Sequence, residues 1–308
     1  MKVHTDLENL PIFRNAVITI GSYDGVHAGH QAIIKQINDF ATLVNGESVL
    51  ITFHPHPRMV IRPDDASLKL ITSIEEKTKL FERFGIDHLV IVPFTIDFSR
   101  QSPEEYIEDF LVKKFKPKMI LIGYDHKFGS KRAGNIHLLK SKENAFDFEV
   151  VEIPEQDVDT IVVSSTKIRN ALTSGNIKQA NEWLNHNFTL TGEVVYGKQI
   201  GRTINYPTAN LKVGDKYKLV PPEGIYAVIV HHQFDQYKGM LYIGNRPTLD
   251  GLRQSIEVNI FDFDKMIYGD NLSIEFIAKT RDDQKFDGLE ALKYQLSLDK
   301  EAALEILK

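Results

Sequence analysis

The sequence predicts two domains of different class, a doubly wound α/β domain over residues 1–184 and an all-β domain with a closing helix over residues 185–308. Three observations carry this. Apolar runs of strand length alternate with amphipathic helical stretches in the first part, as parallel sheets flanked by helices require. Beyond residue 185 the pattern changes to short alternating runs split by turn residues, the signature of an antiparallel barrel or sandwich. The length, 308 residues, suits two domains at roughly 100–200 residues each.

The strands expected in the first domain are Ala16–Ile20, Val49–Phe53, His88–Val92, Met119–Ile122 and Phe148–Ile153. They are rich in Val, Ile and Phe, as strands buried on both faces are. After the first of them, Ile33, Ile34, Ile37, Phe40, Ala41 and Val44 fall on one helical face. Ser102, Pro103, Glu104 and Glu105 read as a helix N-cap, a proline at the first helical position and acids in the first turn. In the second domain the runs are Leu190–Tyr196, Ile225–His231, Met240–Ile243, Ser255–Phe261 and Leu272–Ala278. Leu289, Leu292 and Leu296 then recur at helical spacing.

Composition narrows the function classes. Hydrophobic residues make up 42% and charged residues 26%, with a net charge of −5. A general nucleic-acid binder needs a basic surface, which this balance disfavours. There are no cysteines, so disulfides, thiolate catalysis and cysteine-based zinc sites are excluded. The N-terminus lacks an apolar core of signal-peptide length, and no run approaches a membrane span of ~18 apolar residues. The expected location is the cytoplasm.

The strongest local signal is ITIGSYDGVHAGH, ending at His30. A strand ends at Ile20, a turn bearing Gly21 and Gly25 follows, and a helix starts near Ala28. Open α/β sheets bind ligands at the carboxyl ends of their strands, where a helix N-terminus offers free N–H groups to phosphate. His27 and His30 are three apart and share one side of the first turn. Gly29 between them allows close approach. Two imidazole donors there suit a phosphoryl group gaining charge. A bare pair of histidines is more often a surface feature, but this stretch resembles the His-x-Gly-His signature of nucleotidylyltransferases, in the form found in bacterial FAD synthetases. Tyr23 stands where that family usually has Phe.

Further stretches resemble the same family in the same order. VSSTKIRNAL contains Ser164, Ser165, Thr166, Lys167 and Arg169. One of its hydroxyls can simply cap the next helix, yet Lys167 and Arg169 put positive charge in a first turn that favours acids. The family's corresponding motif binds the outer phosphates of ATP. FHPHP supplies His54, His56 and Pro57, where no third metal ligand is evident and the prolines indicate a shaped loop. GYDHKFG supplies Gly123, Asp125, Lys127 and Phe128, expected from the resemblance to hold nucleotide or flavin. The stretch from Gly192 to Gln199 nearly spells a phosphate loop, but it lacks the terminal hydroxyl residue and its valines favour a strand.

In the second domain GRTINYPTANL, residues 201–211, is the informative stretch. If extended, it places Thr208 and Asn210 on one side, where a hydroxyl and an amide oxygen can serve a hard cation such as Mg²⁺. A turn in which Thr and Asn bond their own backbone is the plainer alternative. In SIEVNIF, alternation puts Ile256, Val258 and Ile260 on one face and Glu257, Asn259 and Phe261 on the other. These stretches resemble the Pro-Thr-Ala-Asn motif and the glutamate of riboflavin kinases. Asn205 and Tyr206 replace the usual Gly-Phe, and Asn259 stands where many relatives have His.

The resemblance therefore covers nearly the whole chain and identifies it as similar to bacterial bifunctional riboflavin kinases/FAD synthetases. It implies a Rossmann-like nucleotidylyltransferase domain followed by a Greek-key barrel. It implies phosphorylation of riboflavin to FMN and adenylylation of FMN to FAD, each with ATP and Mg²⁺. Glu257, His27 and His30 would be catalytic. Gly21, Asp24, Gly25, Gly29, Gly123, Asp125, Ser164, Ser165, Thr166, Arg169, Gly201 and Arg202 would meet ATP. His56, Pro57, Phe128 and Arg281 would meet flavin, and Thr208 and Asn210 the metal. The expected partners are riboflavin, FMN, FAD and ATP, with no nucleic acid and no membrane, and the chain is expected to be a monomer or transient oligomer. The rival readings are another nucleotidylyltransferase carrying a non-catalytic flavin-binding module, and a flavin sensor that binds without turnover.

Overall fold

The computed structural model describes residues 1–65, 67–123, 126–153, 157–158, 161–197, 200–248 and 251–308. The chain forms two compact units, one of Met1–Leu68 with Ile74–Ser164, the other of Lys69–Ser73 with Ser165–Lys308.

The first unit is a six-stranded sheet of β1 (Lys2–His4), β2 (Val17–Ile20), β3 (Ser48–His54), β4 (His88–Pro93), β5 (Met119–Gly123) and β6 (Glu149–Ile153), in the order β1-β4-β3-β2-β5-β6. Every pairing is parallel. Alternate residues of each central strand feed two separate cores. Ile18, Ile20, Val49, Ile51, Ile120 and Ile122 pack with Tyr106, Phe110 and Phe115 on one face. Val17, Leu50, Met119 and Leu121 pack with Ile34, Ile37, Ala41 and Phe81 on the other. Burial on both faces explains why these strands read as continuous apolar runs. Ile34, Ile37 and Ala41 belong to α1 (Ala28–Leu43), whose apolar face is the expected one. The capping box at Ser102 is present: its hydroxyl accepts from Glu105 N at 3.1 Å, and Glu105 accepts from Ser102 N at 2.8 Å.

A small hairpin joins β7 (Asp157–Val158) to β8 (Ile161–Val162). The second unit is a closed antiparallel barrel of β9 (Phe188–Val195), β10 (Ala209–Lys212), β11 (Gly224–His232), β12 (Asp235–Thr248), β13 (Gly251–Ile260) and β14 (Asn271–Arg281). The order is β10-β13-β12-β11-β14-β9, and β9 pairs back onto β10. Closure leaves no free sheet edge. Alternation along β14 buries Leu272, Ile274, Phe276 and Ala278. The closing helix, Leu289–Ile306, packs Ala303 and Leu296 against Ile225, Ala227, Met240 and Phe261. Leu289, the first of the three expected helical leucines, is exposed.

Four strands, β1, β7, β8 and β10, fall outside the expected runs. β1 is a three-residue edge strand of mixed polarity, and β10 coincides with the Thr-Ala-Asn stretch. The near phosphate loop lies in β9 up to Val195, so it is strand; Lys198 and Gln199 lie outside the described residues.

The second unit includes a short segment drawn from within the first unit's stretch of chain. Leu70 N donates to Tyr217 O and Leu219 N to Leu70 O, both at 2.7 Å, forming a parallel bridge to Lys218. The Lys218 ammonium is buried, donates to the carbonyls of Ile71 and Thr189 at 2.6 Å each, and lies 4.6 Å from the Phe188 ring centroid. The helices Ser165–Thr173 and Ile177–Leu184 also belong to this unit. Asn181 anchors the second of them, donating to Phe276 O at 2.8 Å and accepting from Phe188 N at 2.8 Å.

Candidate active sites

Strand order defines a crevice in the first unit. From β2 the chain winds outward through β3 and β4, then returns to the other side of β2 as β5. The crevice outside the carboxyl ends of β2 and β5 is the position where open α/β sheets bind ligands. The His27–His30 turn follows β2, Gly123 ends β5, and His56 and Pro57 follow β3, so three of the motifs gather at neighbouring strand ends.

His27 occupies the N-cap of α1 with extended backbone, and His30 lies in its first turn. Their rings stack, with centroids 3.7 Å apart and an interplanar angle of 18°. The Tyr23 ring meets His30 edge-on at 4.9 Å. Tyr23 is buried, and its hydroxyl shares a 2.6 Å hydrogen bond with Thr19 Oγ1. Burial, then the charges of His27 and Lys77, push the His30 imidazole well below its usual pKa. His30 Nδ1 is buried without a hydrogen-bond partner. The turn is strained: Tyr23 and Val26 adopt φ of +47° and +41°, which non-glycine residues reach at a cost of about 1–3 kcal/mol each. Gly21 is dictated by space, because a Cβ there would stand 2.9 Å from the Tyr23 ring.

Around this centre Asp24 is buried, and Gly25 takes φ +86°. Gly29 lies within the first turn of α1. His56 caps the helix α2 (Pro57–Ile61), its Nδ1 accepting from Arg58 N at 3.2 Å. Phe128 is a core residue, stacked on Tyr106 at 5.0 Å. Asp125 lies outside the described residues. Ser164 is half-buried, while Ser165, Thr166 and Arg169 open the helix Ser165–Thr173 of the second unit.

In the second unit β10 and β13 pair antiparallel with Asn210 opposite Glu257. Thr208, just before β10, donates from Oγ1 to Glu257 Oε2 at 3.2 Å. Ser255 donates from Oγ to Glu257 Oε1 at 2.9 Å. Both carboxylate oxygens are therefore aimed by hydroxyls. Ser255 was not among the expected site residues, yet alternation puts it on the face of Glu257, two positions earlier. Asn259, on that same face, is buried and donates from Nδ2 to Pro207 O at 2.7 Å, tying β13 to the Pro-Thr-Ala-Asn stretch.

The departures in this stretch have physical explanations. Asn205 takes φ +62°, the left-handed region that glycine prefers and asparagine tolerates best among the rest. Gly201, in the helical turn Ile200–Thr203, is required because a Cβ there would stand 2.1 Å from Tyr206 O. The side chain of Arg202 lies outside the described residues. Arg281 is fully engaged: Nε and Nη2 donate to the two oxygens of buried Asp299 at 2.7 and 2.6 Å, and Nη1 donates to Asp282 O at 2.9 Å. Gln295 donates to the same carboxylate at 2.9 Å. The structure thus shows Arg281 fastening the closing helix to the end of β14.

Among the described residues no cluster of three His, Asp or Glu side chains could hold a metal ion. Thr208 and Asn210 offer a hydroxyl and an amide oxygen, hard donors of the kind that suits a Mg²⁺ ion keeping several waters. No helix of the described residues is long and apolar enough to cross a membrane.

Comparison with known proteins matches both units. A family model described as FAD synthetase matches residues 10–167, and one described as riboflavin kinase matches residues 184–307. The chain is 36% identical to the bifunctional riboflavin kinase/FMN adenylyltransferase of Listeria monocytogenes, over 93% of this chain and 91% of that one. It is 33% identical to the protein of the same name from Escherichia coli strain K12, over 94% and 92%. A crystal structure described as a macrolide-efflux protein from Streptococcus pneumoniae shares the fold with a TM-score of 0.88 at 32% identity, covering 98% of this chain and 97% of that one. By its two matched domains and its near-full-length relatives, the chain belongs to the bifunctional riboflavin kinase/FMN adenylyltransferase family.

Proposed function

We propose that this chain phosphorylates riboflavin to FMN and adenylylates FMN to FAD, using one ATP for each step. The observation that carries the reading is the presence of two chemically different sites. One is a stacked imidazole pair at a strand-switch crevice. The other is a carboxylate held by two hydroxyls opposite an asparagine. The kinase step is assigned to residues 185–308 and adenylyl transfer to residues 1–184, with the family matches at 184–307 and 10–167 in support.

In the kinase step Glu257 accepts the proton of the terminal ribityl hydroxyl as that oxygen bonds to the γ-phosphorus of ATP. The bond from that phosphorus to the bridging oxygen breaks, and ADP leaves. Thr208 and Ser255 hold the carboxylate in one orientation for this transfer, and Asn259 fixes the loop that carries Thr208. Thr208 and Asn210 would hold Mg²⁺, which supplies charge neutralisation on the phosphates. Phosphoryl transfer depends mainly on such positioning and charge stabilisation, so a sparse site suffices.

In the second step an FMN phosphate oxygen bonds to the α-phosphorus of ATP, and pyrophosphate leaves. The attacking group is already anionic and needs no strong base. His27 and His30 donate to the substituted α-phosphate, where charge develops. Asp24, Gly21, Gly25, Gly29 and Gly123 shape the nucleotide crevice, with His56 and Pro57 beside it on the flavin side. Ser164, Ser165, Thr166 and Arg169 take the departing pyrophosphate. Gly201 and Arg202 serve the ATP of the kinase step. The reading puts the enzyme in the cytoplasm as a monomer or transient oligomer. Incubation with riboflavin, ATP and Mg²⁺, followed by chromatographic separation of flavins, tests it: FMN and then FAD are expected, and unchanged riboflavin would refute it.

A further inference from the structure

Lys77 is a buried cation that neither step above uses. It lies on α3 (Ile74–Arg83), is 5% exposed, and donates from Nζ to Ser22 O at 2.7 Å. Ser22 opens the turn between β2 and α1 that carries the two left-handed residues Tyr23 and Val26. The same carbonyl accepts a longer bond, 3.4 Å, from Thr52 Oγ1 on β3. A buried ammonium incurs a large desolvation cost, which the Ser22 carbonyl and the charge of buried Asp24 offset. The turn it grips delivers His27 and His30.

Resting on the reading of His27 and His30 as the adenylyl-transfer pair, we propose that Lys77 is a positioning residue of that site, its ammonium fixing the Ser22 carbonyl and thereby the strained turn that sets the two imidazoles. His30 faces His27 on its own helix, Tyr23 in the turn and Lys77 on α3, and Asp24 in the turn acts on Lys77. Burial draws the Lys77 ammonium below its usual pKa, and the Asp24 carboxylate opposes this. The cation in turn helps hold His30 below its usual range. Lys77 therefore has two effects on one site. It fixes geometry through Ser22 and supports a neutral His30 that presents a single N–H to the phosphate.

The test uses the full chain with Lys77→Met and Lys77→Gln, assayed for FAD formation from supplied FMN across pH, with thermal melting and circular dichroism on the same samples. Met keeps the length and removes both donor and charge. Gln keeps a donor for the Ser22 carbonyl and removes only the charge. Lys77→Met is expected to lower kcat for FAD formation by about 10–100-fold, the scale of a misplaced reacting group, while circular dichroism shows the protein still folded at the assay temperature; the melting temperature falls, because the buried Asp24 carboxylate has lost its cation. Lys77→Gln is expected to lose less. In both variants the acid limb of the pH profile moves to higher pH, because removing the cation lets His30 protonate more readily. A residue that only stabilises the fold would lower activity by one factor at every pH, in step with melting. Parent-like rates and profiles in both variants would overturn the proposal, as would loss of activity by one factor at every pH in both. If the parent itself forms no FAD, the reading of the histidine site fails instead.

Discussion

Replacing Glu257 with Gln tests the kinase site at its reacting atom. In the native arrangement Thr208 donates to one carboxylate oxygen at 3.2 Å and Ser255 to the other at 2.9 Å. A glutamine of the same length keeps one acceptor oxygen and turns the other position into an amide donor. The facing hydroxyl rotates to accept from it, so the side chain stays in place. Val258 and Ile260 remain buried, Ile256 likewise, and the β10–β13 pairing is untouched. The change thus isolates proton acceptance, a general-base contribution of roughly 10²–10⁴ in rate, or about 2.7–5.4 kcal/mol at 1.36 kcal/mol per tenfold. Ser255→Ala removes one orienting bond to a charged acceptor, about 1.5–3 kcal/mol, and falls between the parent and Glu257→Gln. Flavins from timed incubations with riboflavin, ATP and Mg²⁺ are separated by chromatography, and FAD formation from supplied FMN is measured on the same preparation. Loss of FMN formation with FAD formation intact is expected. If Glu257→Gln phosphorylates riboflavin within about threefold of the parent, far short of the loss of a general base, the carboxylate accepts no proton in the reaction.

Further outcomes follow from other contacts. His30→Ala is expected to reduce FAD formation by about 10²–10³ without changing FMN formation, and equal loss of both would contradict separate sites. Asn259→Ala removes the bond to Pro207 O, and loosening of the loop is expected as a severalfold rise in the kinase KM for ATP, on the scale of one hydrogen bond at about 1 kcal/mol, read from initial-rate kinetics. Asp299→Ala strands Arg281 and is expected to destabilise the barrel by about 3–5 kcal/mol, the cost of breaking a buried pair, measured by urea unfolding; an unchanged midpoint would show the pair to be incidental. A fragment of residues 185–308 lacks both Asn181 and the segment at Leu70, so its melting temperature is expected to fall below that of residues 165–308, which regain Asn181.

The parts of the molecule legible in the sequence are those whose signal is local. Alternation in SIEVNIF correctly put Glu257 and Asn259 on one face, and the spacing of His27 and His30 put both on one side of the helix start, where the structure stacks their rings. Lys77 was invisible, because its meaning depends on a helix reaching the β2–α1 turn from elsewhere in the chain. The resemblance implies that Arg281 meets flavin, and its paired bonds to Asp299 were not legible, because that carboxylate returns on a helix well downstream. The resemblance implies that Phe128 helps hold nucleotide or flavin, and its stacking on Tyr106 was not legible, because the partner ring lies on another element. Asn205 read as a departure from glycine, and it takes the left-handed backbone that glycine favours and asparagine tolerates.

The segment at residues 69–73 has a consequence for how the chain comes to be folded. Synthesis proceeds from the N-terminus at ≈ 5–20 residues per second, so Leu70 and Ile71 emerge long before Tyr217, Lys218 and Leu219, the residues they pair with. The early half of the chain must therefore hold this segment in reserve, flanked by Leu68 and Ile74 of the first unit. The second unit is complete only when its own late residues meet a piece of polypeptide made much earlier. That interlacing ties the order of folding to the order of synthesis, and a circular permutation that moves the segment to the far end of the chain would reverse the wait.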